Sequence, residues 1–221
     1  MRVVEGCEPD DGPGEGSVRT GAFRCERPSA RLAWLVEGGR LVPVRCGSPN
    51  KCAYCAFLAA VENAVVVALD GERHGPPAVG MTLTTVDPQH DPARFRRDVE
   101  KVIKAVRRIE PAAQYLGLME WTTGRGRRSG GHRRMHQHLL VKGMGATPEV
   151  EARVRDVWEA RTGATRVEVR ALRSVAGSIA YLTHHHHKRE QAPPEGWSGK
   201  RFRPSRGYFG EPVAALREEA A

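Results

Sequence analysis

No apolar run in this chain approaches the roughly 20 residues that a membrane-crossing helix requires. The run Ala64 to Leu69 ("AVVVAL") stops far short. A signal-peptide pattern is missing too: "MRVVEGCEPDDGPGEG" is acidic and Gly-rich where a basic and then an apolar region is needed. The five cysteines are an odd number at uneven spacing, which argues against a disulfide framework. In a reducing compartment they read as metal ligands plus spare thiols. These absences lead to the expectation of a cytoplasmic protein with no membrane partner. There is no internal repeat. Acid is in deficit: 26 Asp and Glu stand against 35 Lys and Arg, a net charge of +9. That balance favours a polyanionic partner, most simply nucleic acid. The 221 residues, 40% of them hydrophobic, suit one sizeable domain with a small appendage.

What is present divides the chain. Residues 1–30 are rich in Gly, Pro and acid and are expected to be irregular. Residues 31–71 open with "RLAWLVEGGRLVPVR", two short strands around Gly38-Gly39, continue through "CGSPNKCAYC", and close on a helix ended by Gly71. Residues 72–210 form the main body and residues 211–221 a tail. Within the body, "AVGMTLTTVD" reads as a buried strand. The clearest helix follows, with Asp91 as N-cap, Pro92 at the first position, and Phe95, Val99, Val102, Ile103, Val106 and Ile109 on one stripe. Pro111 stops it. "QYLGLMEW" and "MHQHLLVKG" are strands joined through the loop "TTGRGRRSGGHRR". A helix over 148–161 turns Val150, Val154, Val157 and Trp158 inward. "TRVEVRAL" alternates as a strand, and "SVAGSIAYLTHHHHKRE" closes as a helix with Ser174 as its cap. The order strand, helix, strand, strand, helix, strand, helix predicts an α+β fold, a central antiparallel sheet with flanking helices.

Side chains alternate along a strand, so His136, His138 and Leu140 share one face of "MHQHLLVKG", and Met135, Gln137, Leu139 and Val141 the other. Two imidazoles about 6–7 Å apart on one strand face can converge on one metal ion. A third ligand is wanted, and the adjoining strand offers Glu120, the one acid in an otherwise apolar stretch. The alternative is two surface histidines and an edge glutamate. The loop between the strands concentrates Arg125, Arg127, Arg128, Arg133 and Arg134, forked donors suited to a phosphate backbone. Its bland reading is a solvated loop, but five like charges repel unless an anion sits among them.

In "AYLTHHHHK", Tyr181, His184, His185 and Lys188 fall on one helical face. A phenol titrates near pH 10 and is a poor nucleophile at neutral pH unless cations and a metal-polarised phosphate favour the phenolate. On spacing alone, the stronger reading of Tyr181 is an amphipathic residue at the core's edge. Cys46, Cys52 and Cys55 stand at C-x5-C-x2-C, which suits zinc once a fourth ligand is supplied; Cys25 is the candidate, with Cys7 behind it. Three thiols at a helix start is the simpler reading.

In chain order, "MTLTT", "MHQHLLVKG" and "AYLTHHHHK" resemble the three motifs of rolling-circle replication initiators of the HUH endonuclease superfamily. "CGSPNKCAYC" looks like the cysteine cluster of initiators from bacterial plasmids and single-stranded DNA phages, notably actinobacterial ones, and "RFRPSRGYF" resembles the stretch after their third motif. The resemblance covers Arg45 to Phe209. It implies an RRM-like core with a small N-terminal Cys-rich knuckle, in a bacterial cytoplasm. It implies a nickase that cuts and rejoins single-stranded origin DNA through a 5′-phosphotyrosine. The metal, Mg²⁺ or Mn²⁺, falls to His136, His138 and Glu120, and the nucleophile to Tyr181, with Lys188 and His184 assisting. A structural Zn²⁺ falls to the cysteines. A host helicase or polymerase is a candidate partner, and the oligomeric state is left open. Gln137 fills a usually hydrophobic middle position; facing away, it is expected to matter little. The chain departs from the family's Tyr-x-x-Lys-Tyr-x-x-Lys pattern: His184 stands at the inner lysine and His185 at the second tyrosine. Two other functions stay open, a catalytically decayed, zinc-stabilised DNA-binding protein or regulator, and a metal-dependent RNA or phosphodiester hydrolase with no covalent step.

Overall fold

The computed structural model describes residues 52–86, 91–123, 133–172, 174, 176–177, 197 and 199–219, and the backbone of three strands upstream. The chain divides into two compact units, residues 1–61 and 62–221. The division falls inside a helix, upstream of the expected boundary at 71/72.

The first unit holds a three-stranded antiparallel sheet in the order β1 (Val4–Glu5), β2 (Ala33–Glu37), β3 (Arg40–Pro43). Glu37 pairs with Arg40, so the two strands expected on either side of Gly38-Gly39 are present and antiparallel. Helix α1 (Ala53–His74) begins in this unit.

The second unit is α+β. Its open sheet is antiparallel throughout, in the order β7-β4-β6-β5-β8, with β4 Val79–Thr84, β5 Gln114–Thr123, β6 Arg133–Lys142, β7 Val167–Ala171 and β8 Phe202–Pro204. Three more described helices join α1: α2 (Pro92–Ile109), α3 (Pro148–Thr162) and α4 (Val213–Glu219). None of the described helices is long and apolar enough to cross a membrane.

The alternation along each strand sorts the sheet into two faces. One carries Val79, Met81, Leu83, Met119, Trp121, Met135, Leu139 and Val141, and packs under α2 and α3. Helix α2 presents the expected stripe: Phe95, Val99, Val102, Ile103 and Val106 are buried, with Ile109 at its margin. Asp91 caps it by accepting from the backbone N–H of Ala93 and Arg94. Helix α3 buries Val150, Val154 and Trp158. Phe95 and Trp158 meet edge to face at 5.6 Å, and the Trp158 indole donates to the Thr84 carbonyl at 3.0 Å, fixing α3 to the end of β4. Asp98, fully buried, accepts from Arg161 at 2.9 Å and ties the two helices.

The opposite face is apolar at one end. There Leu116, Leu118 and Leu140 pack with Val67 of α1 and Tyr208. Lys142, at the end of β6, reaches Asp70 of α1 at 2.5 Å, and Asp70 also accepts from the Gly210 backbone N–H at 2.8 Å. Burial holds the Tyr208 phenol well above its ordinary range, with the nearby Asp70 charge adding to the effect.

Three expectations differ from the structure. Gly71 does not end α1; the helix runs to His74, and Gly75, at φ +87°, takes the left-handed terminal position ahead of Pro76-Pro77. The buried Asp70–Lys142 pair holds the last turn in place despite the interior glycine. The tail "PPEGWSGKRFRPSRGYF", basic, aromatic and expected to be turn-rich, contains β8, which extends the sheet beside β5 with Phe202 opposite Leu118. The expected tail 211–221 carries α4, whose Leu216 is buried and whose Arg217 donates to Asn63 of α1. The helix expected over 174–190 lies almost wholly outside the described residues.

The Lys142–Asp70 pair makes a stability test. Lys142→Met strands a buried carboxylate and should lower the unfolding free energy by about 3–5 kcal/mol in urea titration. Asp70→Asn in the same chain should recover much of that loss. A single variant as stable as the parent would show that the pair does not anchor α1.

Candidate metal and nucleic-acid site

Beyond the leucines, the same sheet face turns polar. In the register, His136 lies between Thr84 of β4 and Glu120 of β5, and His138 between Thr82 and Leu118. The side chains complete what the register begins. Thr84 Oγ1 lies 2.9 Å from His136 Nδ1, and Thr82 Oγ1 lies 3.2 Å from His138 Nδ1. The His138 Nε2 sits 3.2 Å from Glu120 Oε2. The two rings are nearly parallel, 7° apart, with centroids 6.4 Å from each other, so they are one ring orientation repeated along the strand.

Burial sharpens the site. Glu120 is 0% exposed and His138 5%. A carboxylate taken fully out of water costs several kcal/mol unless a partner answers it. His138 is such a partner. Where Glu120 is ionised it can only accept, so Nε2 is then the donor, and Thr82 meets the other nitrogen. Both Nδ1 atoms face β4, which directs the His138 Nε2 toward β5, where Glu120 lies. A hydroxyl at Nδ1 holds the ring in orientation, and because it can accept as well as donate it also suits the tautomer that ligation through Nε2 requires, with the proton on Nδ1.

The expected trio is therefore brought to one face of adjoining strands, and one of its contacts is made. The trio is not closed: among the described residues no three His, Cys, Asp or Glu side chains form a ready metal group. His136 is held by Thr84 one strand repeat from the Glu120–His138 pair. The donor set nonetheless fits a divalent cation. Two cis ligands on an octahedral ion, each about 2.1 Å from it, lie about 3.0 Å apart, close to the 3.2 Å of Nε2 and Oε2. His136 faces Glu120 directly across the strands and has to turn toward it to become a third ligand.

Arg134 follows the same alternation onto this face, two residues before His136, and its buried Nε has no hydrogen-bond partner. It is the one arginine of the basic loop whose side chain is described. Arg125, Arg127 and Arg128 lie outside the described residues, as do Tyr181, His184, His185 and Lys188 and, among the cysteines, Cys7, Cys25 and Cys46; the side chain of Arg133 does too. Cys52 and Cys55 are described and buried at the start of α1. Gln137 lies on the other face as expected, but it is buried, and its Nε2 donates to the His138 carbonyl at 3.1 Å.

Sequence reading missed Thr82 and Thr84. The signal was present in "MTLTT": two hydroxyls at alternate positions of a strand otherwise buried, the same period as the histidines. No family model, characterised protein or solved structure was found to match this chain.

For a metal held by this trio, Thr84→Val should weaken Mn²⁺ binding about 10-fold or more by freeing the His136 ring, read by titration of the free-ion electron paramagnetic resonance signal. Mn²⁺ affinity unchanged in both Thr84→Val and Glu120→Gln would remove this face as the binding site.

Proposed function

We propose that this protein is a metal-assisted nicking and joining enzyme for single-stranded DNA, of the HUH rolling-circle initiator kind, with an RRM-like core. The observation that carries the reading is the placement of His136, His138 and Glu120 on one sheet face, with both Nδ1 atoms met by threonine hydroxyls. A pair of solvated surface histidines does not need a buried carboxylate beside it. The antiparallel sheet, α2 and α3 on the face opposite the histidines, and the histidines on its central strand agree with the resemblance of the three motifs.

His136, His138 and Glu120 would hold Mg²⁺ or Mn²⁺. Bound there, the ion would polarise a scissile phosphate and offset its developing charge. Thr82 and Thr84 keep the two rings from rotating out of position. Arg134, beside His136 on the same face, is placed to pair with the DNA backbone, and the basic loop from Arg125 to Arg133 adds to its hold. Tyr181 supplies the nucleophile: its phenolate oxygen bonds to phosphorus, the phosphorus–O3′ bond breaks, and the 3′ oxygen takes up a proton and leaves as a hydroxyl. The tyrosyl ester retains the bond energy, so rejoining needs no nucleotide cofactor. Lys188 and His184 favour the phenolate by their charge. With His185 at the second tyrosine position, one chain carries one nucleophile of this kind.

That same substitution favours a second reading, an origin-binding protein that no longer cuts. A labelled single-stranded origin oligonucleotide with Mn²⁺ separates the two. The enzyme should yield a covalent protein–DNA adduct on denaturing gels, absent in Tyr181→Phe, reduced at least 100-fold in His138→Ala and retained in His185→Ala. Binding without adduct under any divalent ion would establish the second reading, and an adduct persisting in Tyr181→Phe would place the nucleophile elsewhere.

A structural zinc on Cys46, Cys52, Cys55 and Cys25 belongs to the same proposal, supplying folding energy and no chemistry. Metal analysis of the purified protein should give one zinc per chain, lost in Cys52→Ser. A metal-free parent protein of equal stability would exclude it.

A further inference from the structure

The sheet face opposite the histidines carries a feature that nicking does not use. Beside α2, a small cleft open to solvent is lined by Arg96, Glu100, Tyr115, Gly117, Gln137 and Arg203. Two guanidinium groups meet here, one from α2 and one from β8. Arg203 stands opposite Gly117 in the register, and the absent side chain at 117 keeps the floor open. A Cβ there would lie 2.9 Å from the Gln137 amide nitrogen.

Arg96 is unusual among the arginines. It lies over the Trp197 ring at 5.4 Å, and Trp197 in turn meets Trp121 at 5.0 Å. Its Nη2 approaches Gly199 so closely that any Cβ at 199 would collide with it. Its Nε and Nη2 are buried and have no hydrogen-bond partner. Burial, and after it the neighbouring Arg203 charge, hold the Arg96 guanidinium below its ordinary range. Glu100 shares the cleft, so two positive charges and one negative leave it with a net +1. A desolvated guanidinium beside a like charge is an unfavourable arrangement unless an anion completes it.

We propose that this cleft is a phosphate-binding site, taking a phosphate group between Arg96 and Arg203. Guanidinium forks match phosphate oxygens in bidentate geometry, and an anion there reverses the mutual repulsion of the two arginines. Gln137 and Tyr115, which also line the cleft, carry neutral hydrogen-bonding groups. The phosphate can belong to a nucleic-acid backbone or to a free nucleotide or inorganic ion. The site stands whether or not the protein nicks DNA, because it shares no side chain with the histidine face.

Trp197 provides the readout. Inorganic phosphate, a mononucleotide and a short single-stranded oligonucleotide without terminal phosphates are titrated separately into the full chain while tryptophan emission is followed. A saturable change is expected with at least one of them. A response to the oligonucleotide assigns the site to backbone diesters; a response confined to the other two assigns it to phosphate monoesters. Arg203→Glu, at an exposed position, should weaken the effective ligand at least 10-fold with an unchanged unfolding midpoint, and Arg96→Met should do the same. Arg155→Met, on the outside of α3, should bind as the parent does. No saturable response to any of the three ligands, or equal affinity in Arg203→Glu and the parent, overturns the proposal.

Discussion

The buried contact between Glu120 and His138 governs the polar end of the sheet. A fully desolvated carboxylate is tolerated only where something answers its charge, and the answer here comes from the neighbouring strand. That requirement fixes the register of β5 against β6, because a slip of one residue would turn Glu120 to the helical side among Met119, Trp121 and Leu139. A slip of β6 against β4 would likewise carry both histidines away from Thr82 and Thr84. Three strands are thus locked by one charge and two hydroxyls as well as by their backbone ladders.

The opposite end of this face solves a different problem. Leu116, Leu118 and Leu140 need apolar cover, and α1 and Tyr208 supply it, with the Lys142–Asp70 pair holding the covering segments down. The covering helix and the C-terminal segment come from opposite ends of the second unit's sequence. Asp70 joins them by accepting from Lys142 and from the backbone of Gly210. Strand β6 therefore runs from Arg134 and the histidines, through Leu140, to Lys142, and each step along it meets a different environment.

Much of this was legible locally. The period of two in β4, β5 and β6, the Asp91–Pro92 start of α2 and its buried stripe follow from residues within one or two turns of each other, and the structure reproduces them. The placement of Glu120 beside the histidines was legible because it stood alone among apolar residues. What escaped depends on distant partners. Gly71 looks like a helix end until Asp70 is known to be buried against Lys142. Three residues of β8 carry no periodic signal and become a strand only because the edge of β5 lacks a neighbour. Thr82 and Thr84 look like strand-forming residues, and their contact with the imidazoles depends on a pairing across more than 50 positions.

Gln137 shows how closely the two faces are joined. Where a hydrophobic side chain would only fill space under α2, the amide has a donor to place, and it places one on the carbonyl of His138. A buried amide left unpaired costs about 1–3 kcal/mol, so the preference for that geometry is strong. Its tip also faces Gly117, where any larger residue would force it to move. A shift of this amide therefore pulls on the backbone that carries the His138 ring, a few ångströms through the sheet. Side chains on alternate faces of a strand are usually independent of each other. On β6 they are coupled, because a polar residue at the middle position bonds to the main chain between the two histidines' side of the sheet and its own.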